Sequence, residues 1–130
     1  MTMKNATLEQ LPAFERAFFT AAFWTADDDA PGGMDYRDTG NAGELWQRLH
    51  PVNKKTLLYA LHDWQIVNSD LLEQAGDDEQ NGHDLWLTQA GHGAGFWGRG
   101  YGETGDKLTE AAHLFGPFDC TISEEGVFIE

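Results

Sequence analysis

Apolar side chains recur along this chain at helical spacing in four places and at strand spacing in two. Phe14, Ala17, Phe18, Ala21 and Ala22 step by three and four, and Phe19, Phe23 and Trp24 widen the stripe. This predicts a helix from Pro12 to about Thr25, with Glu15, Arg16 and Thr20 facing water. Pro12 suits a first helical position, where its missing N–H costs nothing, and residues 1–11 read as a loose lead-in. Leu45, Trp46 and Leu49 mark a short helix from Ala42 to Leu49. The longest prediction, Val52 to Ala75, carries a continuous stripe of Leu57, Ala60, Leu61, Trp64, Val67, Leu71 and Ala75. Such a helix spans about 36 Å. Gly76 is its natural terminator, with 77–82 as the loop beyond.

The pattern then changes. The stretch His83 to Arg99 packs two Trp, two His, one Phe and four Gly into seventeen residues. Leu85, Trp86 and Leu87 read as one strand and Phe96-Trp97 as the start of its partner, with a glycine-rich turn between them. Alternation puts Trp86 on the face opposite Leu85 and Leu87, beside Asp84 and Thr88, where it is either packed by a loop or exposed for binding. A helix over about 106–115 follows, with Leu108, Ala111, Ala112 and Phe115 on one face and Asp106 as N-cap. The chain closes in a second hairpin, 118–123 and 127–129 about a Glu124-Glu125-Gly126 turn. This order predicts an α+β fold: helices packed on one face of a small antiparallel sheet, with two hairpins flanking a helix. The 130 residues make one domain.

Charge narrows the choice of partners. Twenty-two Asp and Glu against eight Lys and Arg leave −14. That field repels phosphate backbones and anionic lipid, so direct nucleic-acid and membrane binding are not expected, and it steers the protein toward basic surfaces. Acidity also simply keeps a small protein soluble. No apolar run approaches a membrane span, there is no signal-peptide layout, and a lone Cys120 in a predicted strand reads as a buried thiol in a reducing cytoplasm.

Candidate chemistry is sparse. Asp27, Asp28 and Asp29 lie in a predicted acidic loop, 25–41, that lacks the alternating acids and the glycine of a calcium loop. Two G-x-G-x-x-G strings, Gly93–Gly98 and Gly100–Gly105, lack the βαβ setting of a dinucleotide site. His83, Asp84, His92 and Glu103 meet if the predicted turn folds back, but no ligand spacing fixes a metal. Arg99, beside Trp97 and Tyr101, is placed to stack on an aromatic or bridge to a carboxylate. No cofactor or metal is implied.

The run Asp84-Leu-Trp-Leu-Thr-Gln-Ala-Gly-His-Gly-Ala-Gly-Phe-Trp-Gly-Arg-Gly100, followed by Lys107-Leu-Thr-Glu-Ala-Ala-His-Leu-Phe-Gly116, resembles a group of small proteins of bacteriophages and other mobile elements. Those proteins share a D-F-W-L-T-x-x-G-H-G-A-G-F-W-D-R pattern and a following L-T-E-A-A helix. Phe23-Trp-Thr-Ala-Asp-Asp-Asp29 is similar to another of their segments. The match covers about 35 residues plus that fragment. Leu85 replaces their Phe, and Gly98 stands where an Asp often precedes the Arg, which weakens any role for a carboxylate there. The resemblance implies a phage-like origin, hence the cytoplasm of a bacterial host, and no particular reaction.

Together these point to an acidic interaction protein that binds a basic surface of a host protein, of the anti-CRISPR-like or anti-restriction kind. The expected contact residues are Asp27, Asp28, Asp29, Asp77, Asp78, Glu79, Trp86, Trp97 and Arg99. The alternative is a small enzyme or ligand-binding module centred on the glycine-rich stretch, with His92 and Asp84 as candidate catalytic residues. A homo-oligomer built on the long helix is a third reading.

Overall fold

Phe18 and Phe19 anchor the core of the computed structural model, which describes residues 6–28, 42–92, 94–123 and 125–130. Both lie on α1 (Ala13–Trp24), whose stripe is so wide that Phe14, Ala21, Ala22 and Phe23 are buried as well. Phe18 meets Trp86 edge-on at 5.3 Å, and Phe19 meets Trp46 at 4.8 Å, arrangements that suit the ring quadrupoles. Pro12 caps α1 from just outside it. Trp24 is exposed rather than core, and Glu15 is buried rather than wet. The lead-in is ordered at its described end: Leu8–Gln10 form a 3-10 turn, and Leu8 and Leu11 are buried.

After β1 (Asp27–Asp28), α2 (Ala42–Arg48) and α3 (Pro51–Val67) follow, then a short α4 (Ser69–Glu73). The predicted long helix is thus broken. At Asn68 the backbone leaves helical geometry, and its side chain donates to the Trp64 carbonyl at 2.9 Å; Val67, just before the break, is 81% exposed instead of continuing the stripe. Trp46 and Trp64, from α2 and α3, are buried with their indole N–H groups donating to the Ala6 and Ala111 carbonyls.

The largest departure is α5, Asp78–Gln89, which occupies both the predicted loop at 77–82 and the first strand of the predicted hairpin. Asp77 caps it by accepting from the Gln80 N–H at 2.8 Å. Gly91 ends it with φ +78°, donating to the Thr88 carbonyl while His92 N–H reaches the Leu87 carbonyl at 3.0 Å. This pair of bonds is a Schellman stop, so the Gly91-His92 step closes a helix and does not turn a hairpin. Phe96–Gly98 form a 3-10 turn in place of the partner strand. α6 (Glu103–Phe115) begins within the second glycine string, with Gly102 and not Asp106 at its N-cap.

Among the described residues one hairpin is therefore present, β2 (Cys120–Ser123) with β3 (Gly126–Ile129), antiparallel from Cys120↔Ile129 to Ser123↔Gly126. β1 adds to β2 in parallel, Asp27↔Thr121 and Asp28↔Ile122, so the three-stranded sheet is mixed. Cys120, Ile122, Val127 and Ile129 are buried in the same core as the helices. The class is α+β. No described helix is long and apolar enough to cross a membrane.

Candidate functional site

The helix built from the signature stretch buries an unusual set of side chains: Asn81, Asp84, Thr88 and Gln89 lie inward together with Leu85 and Trp86. Positions 81, 84, 85 and 88 follow helical spacing, so α5 has an inner face, but a polar one. α5 can approach α1 because Gly82 lies at the crossing; a Cβ built there would overlap the Phe14 carbonyl oxygen.

Each buried polar group pins a different part of the chain. Arg99 grips Asp84 with both arms of its fork, Nε to Oδ2 at 3.1 Å and Nη2 to Oδ1 at 2.9 Å. Gln80 adds a bond to Oδ1 at 3.0 Å. Donating to the Asp84 carboxylate raises the pKa of the Arg99 guanidinium. Trp86 Nε1 donates to Thr25 Oγ1 at 2.7 Å, and Phe96 N–H donates to Thr88 Oγ1 at 3.2 Å. Gln89 binds the backbone of Phe118 from both sides, donating to its carbonyl at 3.1 Å and accepting its N–H at 2.6 Å. Asn81 closes the α4–α5 connection, donating to the Gly76 carbonyl and accepting the Gly76 N–H. Among the described residues, every buried side-chain nitrogen and oxygen has a partner.

Beside this clamp lies an open cleft of about 410 Å³ between α1 and α5. Arg16 and Thr20 form one wall; Asp77, Glu79, Gln80 and His83 form the other, and Arg99 closes one end. His83 Nδ1 stands 3.6 Å from Asp84 Oδ1 and is exposed. Three of the residues named from sequence, His83, Asp84 and Arg99, are thus brought together. His92 and Glu103 are exposed, and among the described residues neither shares a side-chain hydrogen bond or ion pair with that group.

The remaining contact candidates divide. Asp77, Asp78 and Glu79 are exposed, and Trp97 is 57% exposed. Trp86 is buried against Phe18 and offers no outer surface, which corrects the reading of it as a binding aromatic. Asp27 and Asp28 lend their backbones to β1 instead of opening a loop, and Asp29 lies outside the described residues, as does most of the predicted acidic loop. Among the described residues no three His, Cys, Asp or Glu side chains gather into a metal-holding group. Sequence reasoning missed Thr25, Asn81, Thr88 and Gln89. For Asn81, Thr88 and Gln89 the signal was their helical spacing with Asp84 and Leu85, hidden because these residues are polar; Thr25, at the C-cap of α1, shares no such spacing. Compared with models of protein families, with curated proteins and with solved structures, the chain matches none.

Proposed function

We propose that the protein works through its acidic surface, docking on a basic face of a bacterial host protein as a phage-type inhibitor. The observation that carries this reading is the ridge from 70 to 79. Asp70, Glu73, Asp77, Asp78 and Glu79 are all exposed there, with no Lys or Arg among them, in a chain of net charge −14. A run of like charges on a fixed helical scaffold steers and orients a basic partner. Trp97 offers an aromatic anchor of the kind that interfaces favour. Asp84, one of the two candidate catalytic residues, spends both oxygens on Arg99, an arrangement that serves cohesion better than proton transfer.

Asp77→Asn, Asp78→Asn and Glu79→Gln together remove three charges and keep an N-cap side chain at position 77. The full chain and this variant are each used as bait in a bacterial lysate at low and high salt, with mass spectrometry of what is retained. Retention of a nucleic-acid-binding or defence complex by the native protein, lost in high salt and in the variant, is the expected result. Partners indifferent to both changes would overturn the reading.

A further inference from the structure

The outward face of α3 runs against the usual pattern. Its inner side is filled by Leu57, Leu58, Leu61 and Trp64, yet Val52 (63%), Tyr59 (66%) and Ile66 (60%) are largely exposed on the other side. These three are spaced by seven, which returns an α-helix to within about 20° of the same direction. They draw one straight apolar row about 21 Å long. Lys55, Thr56, His62 and Asp63 flank the row and are exposed. On this strip one Lys balances one Asp, unlike the acidic remainder of a −14 chain. It is a surface where two copies meet without a like-charge excess at the contact itself.

The order of residues along the strip selects the occupant. Val52 lies seven positions before Tyr59 and Ile66 seven after it; Lys55 lies four before and Asp63 four after. A twofold axis passing at Tyr59, perpendicular to α3, therefore sets Val52 level with Ile66 of the second copy. The same axis sets Lys55 level with Asp63, both twice over, with tyrosine meeting tyrosine at the centre. A parallel pairing would instead set Lys55 level with Lys55 and Asp63 level with Asp63. An interface whose patch is its own complement under a twofold axis is the form homodimers take.

We propose that the protein forms an antiparallel homodimer through the outer face of α3, with the twofold axis at Tyr59. The strip is narrow, so the association is weak, with Kd on the order of 10 µM. It is independent of the acidic-surface reading and leaves the 70–79 ridge to be tested separately.

Sedimentation equilibrium of the full chain tests it directly. The mass should rise with concentration from the 14.5 kDa monomer toward twice that value, and Tyr59→Asp should hold it at the monomer with an unchanged circular dichroism spectrum. A mass that stays monomeric up to about 1 mM, far above that Kd, would overturn the proposal. Charge reversal then tests the register. Lys55→Asp and Asp63→Lys should each weaken the dimer about tenfold, and the two changes in one chain should restore it. Failure of the double variant to recover would rule out the antiparallel pairing. Tyr59→Cys should give a disulfide-linked dimer on mild oxidation, because the two copies of position 59 face each other across the axis. Absence of that cross-link would count equally against it.

Discussion

α5 and α3 invert the usual division of polar and apolar surface in opposite ways. α5 turns Asn81, Asp84, Thr88 and Gln89 inward and saturates each with a partner from another part of the chain. α3 keeps an ordinary leucine face inside and shows Val52, Tyr59 and Ile66 to solvent. A buried hydrogen bond has direction and a single best partner, so the polar face of α5 fixes which segments lie against it. Apolar burial has no direction, so the outer row on α3 can be satisfied by any surface of matching shape. The first helix specifies the fold and the second faces outward.

The sharpest way to break this contrast is Arg99→Ala. It leaves the Asp84 carboxylate buried without its bidentate partner and should cost about 3–4 kcal/mol in urea unfolding, discounted because Arg99 is one-third exposed. Adding Asp84→Leu should recover part of that loss. Recovery of none would mean the pair is not what holds the 95–99 turn to α5.

Gly82→Ala tests the approach of α5 to α1. Its methyl group overlaps the Phe14 carbonyl, so the two helices must part, at about 2–3 kcal/mol by thermal denaturation. Gln89→Leu keeps the volume but orphans both backbone groups of Phe118, costing about 2 kcal/mol.

A smaller effect sits at the inner edge of α3, where Gln65 donates to the buried Glu15 carboxylate. Burial pushes the Glu15 carboxyl above its ordinary value of 4.5. A raised folded-state value favours the protonated form. Its stabilisation is therefore complete below about 4.5 and is lost as pH rises through the higher folded value. Glu15→Gln should accordingly be more stable than the native chain at neutral pH, and the gap should close as the solution is acidified toward 4.5; a pH series of melts reads this. The smallest change in stability belongs to Tyr59→Asp on the outer face of α3. It should move the folding free energy by less than about 0.5 kcal/mol. A loss above 1 kcal/mol would place Tyr59 in the fold and dissolve the contrast between the helices.

Local pattern determined much of this protein. The wide aromatic stripe of α1, the leucine spacing of α2 and α3, the closing hairpin and the burial of Cys120 follow from side chains whose preference for the core does not depend on their neighbours. The acidic surface is likewise a matter of composition. What only the tertiary structure decided was the signature stretch. Leu85-Trp86-Leu87 is too short an apolar run to separate a strand from a helix, and the inner face that makes it helical is carried by Asn81, Asp84, Thr88 and Gln89. A polar side chain becomes a core residue only once its partner is in place. For Asp84, Trp86, Thr88 and Gln89 those partners are Arg99, Thr25, Phe96 and Phe118, brought together by folding and not by adjacency. The break at Asn68 and the exposure of α3's outer row belong to the same class, since what lies beside a helix is settled by the fold that surrounds it.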